Sequence, residues 1–329
     1  MLGKCTAKRV MLALPVILLL TSIAGCGQST TSGTQATGGE LKGKLTISGA
    51  WALYPMMVRW GEEFQKVHPG VQFDISAGGA GKGMTDALAG AVEIGMVSRA
   101  IMPEEEAKGA FWVPVVKDAV FVSVNENNPV WEDLHSKGLT REAFIGIYVT
   151  GEITTWGQAV GRPEVTDPIH VYTRSDACGA AETWAKYLDK KQEDLKGIAV
   201  YGDPGLLDAV IKDPLGIGFN NLNYLFDLST GLPVAGARAV SIDANGNNLV
   251  DPEELCDTED QAVTAVATGH YPAPPARDEN LVTNGKPAEG SLVKTFILWI
   301  LNDGQKFVGE AGYIPLPQEQ LEAVLKKLE

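Results

Sequence analysis

Three times along this chain a short apolar run ends in a glycine-bearing turn that opens into an amphipathic helix: at Ser48–Pro55, Ala77–Gly83 and Arg174–Ala180. The apolar runs are Leu45–Ser48, Val71–Ser76 and Ile169–Thr173, and the helical segments are Trp51–Val67, Gly83–Ala89 and Gly179–Leu188. A strand at Val92–Met96, a long β-rich stretch at Phe111–Val124, a helix at Thr140–Val149 and a further pair at Gly197–Tyr201 and Pro204–Lys212 extend the alternation. Strands alternating with helices of this length predict an α/β fold with a mainly parallel sheet. Each turn brings small residues to a helix N-terminus, where free backbone N–H groups and about half a positive charge favour an anion. One such turn is commonly just a connection; three in one chain point to an anion site.

The first segment carries an address. Lys4, Lys8 and Arg9 precede the apolar run Val10–Leu20, which is too short to span a bilayer but has the length of a signal-peptide core. Ile23-Ala24-Gly25-Cys26 resembles the bacterial lipobox, which implies cleavage before Cys26 and its lipidation. Gly27–Gly39, rich in Gly, Ser, Thr and Gln, reads as a flexible tether. The expected organisation is a signal peptide over 1–25, a tether over 26–40, and an extracytoplasmic body held to a bacterial membrane by lipid alone. With 27 Lys+Arg against 41 Asp+Glu the chain carries −14, and losing residues 1–25 removes three cations and no acid, leaving −17. That balance argues against nucleic acid or an anionic membrane surface as partner.

The order of segments resembles the periplasmic phosphate-binding proteins of ABC transporters. The resemblance is carried by Ser48-Gly49-Ala50 with Tyr54-Pro55, the Gly-rich second turn, Glu93–Arg99, Val124-Asn125 with Asn128-Pro129, and Gly151–Trp156. It continues through Arg174-Ser175-Asp176, Tyr271-Pro272 with Arg277, and Gly304-Gln305 to Leu316, and so covers the body beyond the tether. It implies a two-lobed periplasmic-binding-protein fold of type II, with mainly parallel sheets flanked by helices and a hinge between the lobes. Residues 41–124 and 271–329 would form the first lobe and 125–270 the second, with crossings near Asn125–Pro129 and Tyr271–Arg277. It also implies a monomeric solute-binding protein, not an enzyme, that closes on an inorganic oxyanion, phosphate foremost, and passes it to an ABC permease.

The ligands that the resemblance carries over are backbone N–H groups of Leu53 and Tyr54, the second turn at Ala80 and Gly81 with Lys82 beside it, and Ser98 and Arg99. From the third turn come Arg174, Cys178, Gly179 and Ala180, with Asp176 orienting Arg174; a purely structural Arg174–Asp176 ion pair is the plainer alternative. Two departures touch specificity. The family pattern reads Gly-Ser-Gly-x-Gly where this chain has Ala80, and Ser-Gly-Thr where it has Cys178-Gly179-Ala180. Sites that reject a wrong anion depend on such hydroxyls, so sulfate, molybdate and tungstate stay open beside phosphate.

A second constellation lies at Asp243–Glu254. Asp243, Asn245, Asn247, Asp251 and Glu254 fall at positions 1, 3, 5, 9 and 12 of an EF-hand calcium loop, with the Leu249 carbonyl at position 7. Asn248 stands where glycine is usual, and asparagine is the next best residue for a left-handed turn. The expectation is a structural Ca2+, the alternative a solvated acidic turn. Cys178 and Cys256 remain once Cys5 leaves with the signal and Cys26 takes the lipid; in an oxidising compartment they are disulfide candidates, with two reduced thiols as the alternative. A calcium-stabilised interaction or adhesion module is the non-transport reading. A P-loop fails at Ser76 and Gly83, and His68, His135, His170 and His270 are scattered without a hydrolase motif.

Overall fold

The computed structural model describes residues 41–329. The expected signal peptide, the tether and Cys26 lie outside the described residues. Among the described residues no helix is long and apolar enough to cross a membrane.

The alternation in the sequence becomes β1 (Lys42–Gly49), α1 (Tyr54–Val67), β2 (Gly70–Ala77), α2 (Ala80–Leu88) and β3 (Ile94–Val97). After α3 (Pro103–Glu106) comes β4, sixteen residues from Ala110 to Asn125. It is followed by β5 (His170–Arg174), β6 (Ile198–Val200), β7 (Gly216–Asn221), a small ladder of β8 (Phe226–Asp227) and β9 (Leu232–Pro233), β10 (Ala237–Val240) and β11 (Ala276–Asn284). The large sheet runs β2-β1-β3-β11-β4-β7-β5-β6, with β10 added to β4.

The sheet is mixed rather than mainly parallel. β1 pairs in parallel with β2 and β3, and β5 with β6 and β7, as strand–helix–strand units require. The strands between these two groups, β4 and β11, run antiparallel to each other and to their neighbours β3 and β7. β4 is shared by two hydrophobic cores: Val113, Val115 and Val116 join Met56, Trp60, Phe64 and Phe296, whereas Ala119 to Val122 join Phe144, Tyr148, Trp184 and Phe219. The change of core thus falls inside the strand, at residues 117–118, ahead of the Asn125–Pro129 segment that the sequence suggests as a crossing. Arg277 of β11 lies opposite Asp118 in this stretch.

α2 begins at Ala80, earlier than its apolar pattern indicates, because Gly79 (φ +94°) turns the chain into the helix. The Thr140–Val149 prediction is met by a helix at Arg141–Ile145 that widens into a π-turn over Gly146–Thr150.

Candidate functional site

All three glycine-bearing turns meet. The first two are tied together by backbone: the N–H groups of Gly78 and Gly79 both donate to Gly49 O, at 2.9 and 3.0 Å. Gly49 itself (φ +135°) admits no side chain, since a Cβ would sit 2.2 Å from Met96 O. The third turn closes over the second, with Gly81 N–H donating to Ala177 O at 3.2 Å. Ser98 packs directly against Gly179, and Trp51 of the first turn meets Tyr201 edge-on and accepts at its carbonyl from Tyr224 Oη at 3.2 Å. The N-termini of α1, of α2 and of the Gly179–Tyr187 helix therefore converge, each bringing first-turn N–H groups that have no partner within their own helix.

Arg174 ends β5 beside them with its side chain fully buried. Asp176 grips it in a fork, Nε to Oδ1 at 2.9 Å and Nη2 to Oδ2 at 2.7 Å, while Nη1 donates to Asp203 Oδ2 at 2.6 Å. Three of the five guanidinium N–H groups are thus engaged and two remain. Burial would lower the pKa of Arg174, but Asp203, Cys178 and Asp176 outweigh it and raise it, so the guanidinium stays charged. One guanidinium and two carboxylates together make a cluster of net negative charge. Attraction for an anion rests as much on the convergent helix N-termini as on the arginine.

Other expected ligands are placed as follows. Leu53 is the buried N-cap of α1 and Tyr54 its first helical residue; Ala80 and Gly81 open α2. Gly179 and Ala180 open the Gly179–Tyr187 helix behind Cys178, whose Sγ accepts from Ala181 N–H at 3.4 Å. Cys178 thus serves as a cap, as a hydroxyl would. Lys82 turns to Asp86 one helical turn on, and Arg99 forks onto Glu105 and reaches Glu182 of the Gly179–Tyr187 helix at 2.9 Å, so both cations are taken up by carboxylates.

The Cys178–Cys256 bridge expected from the sequence is not formed. Both are buried free thiols with separate partners, Ala181 N–H for Cys178 and Ser241 Oγ at 3.3 Å for Cys256, and burial pushes each up to about 12.

Sequence reasoning missed Asp203, Asn221 and Tyr224. Asp203 lies in the first turn of the Gly202–Lys212 helix, which follows β6 after Tyr201, a fourth strand-to-helix junction that the same pattern could have flagged.

The Asp243–Glu254 loop lies apart. Asp243 Oδ1 accepts from Gly246 and Asn247 N–H at 2.7 and 3.2 Å and its Oδ2 from Asn248 N–H at 2.9 Å; Glu254 accepts from Ala244 and Asp251 N–H. Asn248 has φ +60°, the left-handed turn expected of it. Asn245 and Asn247 donate to Asp251, Leu249 is exposed, and among the described residues no three His, Cys, Asp or Glu side chains form a ready metal cage. The loop shares a cavity wall with Tyr187, at the end of the Gly179–Tyr187 helix away from the anion turn.

Residues 29–303 match the PBP superfamily domain. The phosphate-binding protein PstS of Bacillus subtilis (strain 168) is 27% identical over 312 residues, covering 93% of each chain, and PstS of Methanocaldococcus jannaschii is 26% identical over 375 residues, covering 94% of this chain and 92% of its own. A Clostridium perfringens crystal structure with bound phosphate, described as a phosphate ABC transporter substrate-binding protein, superposes with a TM-score of 0.68 at 25% identity, over 84% of this chain and all of that one. A Vibrio cholerae ABC-type phosphate transport receptor shares the fold at a TM-score of 0.60 and 22% identity. With more than half its length matched and the two-core fold in place, the chain belongs to the PBP superfamily.

Proposed function

We propose that this chain is a phosphate-binding protein that captures inorganic phosphate between its two cores and delivers it to an ABC permease, without chemistry of its own. The observation that carries the reading is the buried Arg174, fixed by two carboxylates with two N–H groups left over, where three helix N-termini converge. Preorganised dipoles in a water-poor cleft hold an anion whatever the bulk charge. The phosphate-binding relatives support the choice of ligand. β4 and β11, the two segments that pass between the cores, would serve as the hinge.

Phosphate, sulfate, arsenate, molybdate and tungstate should be titrated separately, with tryptophan fluorescence as signal, since Trp51 of the first turn packs against Tyr201 and Tyr224. A saturable response strongest for phosphate is expected; no response to any of the five overturns the reading. A stronger response to sulfate, molybdate or tungstate would establish the second reading, which Cys178 and Ala180 favour by supplying no hydroxyl at the third turn.

The N-terminal residues support extracytoplasmic placement with Cys26 as the lipid anchor, and the protein would act as a monomer. For the Asp243–Glu254 loop the proposal is a structural Ca2+ held by Asp243, Asn245, Asn247, the Leu249 carbonyl, Asp251 and Glu254. An all-oxygen donor set in a loop already turned by Asp243 suits a hard cation.

A further inference from the structure

Arg174 is not held by its two carboxylates in isolation. Asp203 accepts at Oδ2 from Asn221 Nδ2 at 2.9 Å and at Oδ1 from Asn221 N–H at 3.1 Å, and Asn221 Oδ1 in turn accepts from Arg277 Nη2. Asp203 and Asn221 are buried, and the Arg277 side chain is 6% exposed. The polarity of this chain is fixed at every link. A guanidinium only donates and a carboxylate only accepts, so an amide between them fits one way round. Arg277 also lies 3.4 Å from Asp118 and 3.3 Å from Glu279, on the strand pair where the polypeptide passes from one core to the other. The anion arginine is thereby tied, through Asp203 and Asn221, to the joint between the cores.

We propose that Asn221 and Arg277 are positioning residues for anion capture: they act on the anion through Asp203 and Arg174, fixing where the two remaining guanidinium N–H groups stand when the lobes are closed. The inference rests on the phosphate-binding reading above. A guanidinium whose partner carboxylate is free to swing is no longer preorganised, and the loss appears as weaker binding.

Asn221→Asp tests it. Protonated, the new side chain has one donor and one acceptor, the polarity of the amide; ionised, it has only acceptors and faces Asp203 with like charge. Calorimetry with inorganic phosphate on the purified protein gives the ratio of variant to wild-type Kd at each pH, which cancels the titration of phosphate itself. The ratio should be about tenfold or more at pH 8 and fall to within about threefold at pH 5. Asn221→Leu, which cannot be rescued, should be weaker by about tenfold at both values. Asn125→Leu, removing a buried amide whose partners are the Val210 and Ile211 carbonyls and Asn127 N–H, away from Arg174 and Asp203, should stay within about twofold of wild type. A ratio for Asn221→Asp that does not change with pH overturns the proposal, as does a cooperatively melting Asn221→Leu protein that binds like wild type. If Asn221→Leu fails to fold, the Asn221→Asp ratio decides alone. Wild-type protein that binds no phosphate overturns the functional reading and this inference with it, whereas binding that both variants retain at both pH values overturns the positioning role only.

Discussion

Arg174 and Asp203 form an ion pair with no solvent-exposed side-chain surface on either partner, Nη1 to Oδ2 at 2.6 Å. Such a pair has its desolvation offset only while both charges and their hydrogen bonds are present. The site is therefore sensitive to changes that leave one charge alone.

Arg174→Ala leaves Asp176 and Asp203 buried without a cation. It should abolish phosphate binding and lower unfolding free energy by about 3–5 kcal/mol. Arg174→Lys keeps the charge but cannot fork onto Asp176 while reaching Asp203, and should still weaken binding by about 100-fold. Calorimetry and urea denaturation report the two effects separately, and a Lys variant that binds as wild type would contradict the geometry.

Closure can be blocked without disturbing either core. A Cβ at Gly179 would stand 2.1 Å from Ser98 Oγ and 2.2 Å from Ser98 O. Gly179 opens its helix without a left-handed φ, so the helix itself accepts alanine there. Gly179→Ala should thus melt no lower than wild type in buffer, yet fail to gain the roughly 2.7 kcal/mol that phosphate at 100 times Kd gives a binding-competent protein. A full phosphate-induced shift in thermal unfolding would refute it.

Burial pushes Asp118 up from 3.8 to about 6 against the pull of Arg277, and Glu279 is raised by burial in the same direction. A carboxyl whose pKa is raised on folding contributes stability that is fully present below its unfolded value and is lost as pH rises through its folded one. For Asp118 that window is pH 4 to 6. Asn at this position has no proton to lose, so the melting temperature of Asp118→Asn minus that of wild type should climb across the window and level off above it. Differential scanning calorimetry at half-unit steps checks the slope; a flat difference would show Asp118 titrating normally.

Calcium should raise the melting temperature of the wild type, and the rise should vanish in Asp251→Ala, whose side chain organises Asn245 and Asn247. Phosphate affinity should be unaffected, because the loop sits at the far end of a nine-residue helix, about 13 Å along its axis from the anion turn. Identical melts with and without calcium would show that the loop needs no ion.

The strand–turn–helix junctions and Arg174 with Asp176 were legible because each lies within a few residues of its neighbours in sequence. Asp203 and Asn221 were not, because their role depends on partners 29 and 56 positions away, Arg174 and Arg277. β7 escaped notice for a different reason: Gly216-Ile-Gly-Phe-Asn-Asn has too few apolar residues to show a period, though all six are buried. Arg99 and Lys82 read as anion ligands from their positions, but Glu105, Glu182 and Asp86 lie close enough to pair with them. The two cysteines suggested a bridge by number alone, and number says nothing about distance.

β4 has one last consequence. Odd and even positions alike are buried on both sides of residues 117–118: Val113, Val115 and Val116 before them, Ala119 to Val122 beyond. Its pairing with β11 slips by one residue at Val115, opposite Glu279 and Asn280, so no single odd–even count runs through the strand. What is fixed to the residue at the joint is a pairing, Asp118 opposite Arg277. One residue inserted after Lys117 would part those two.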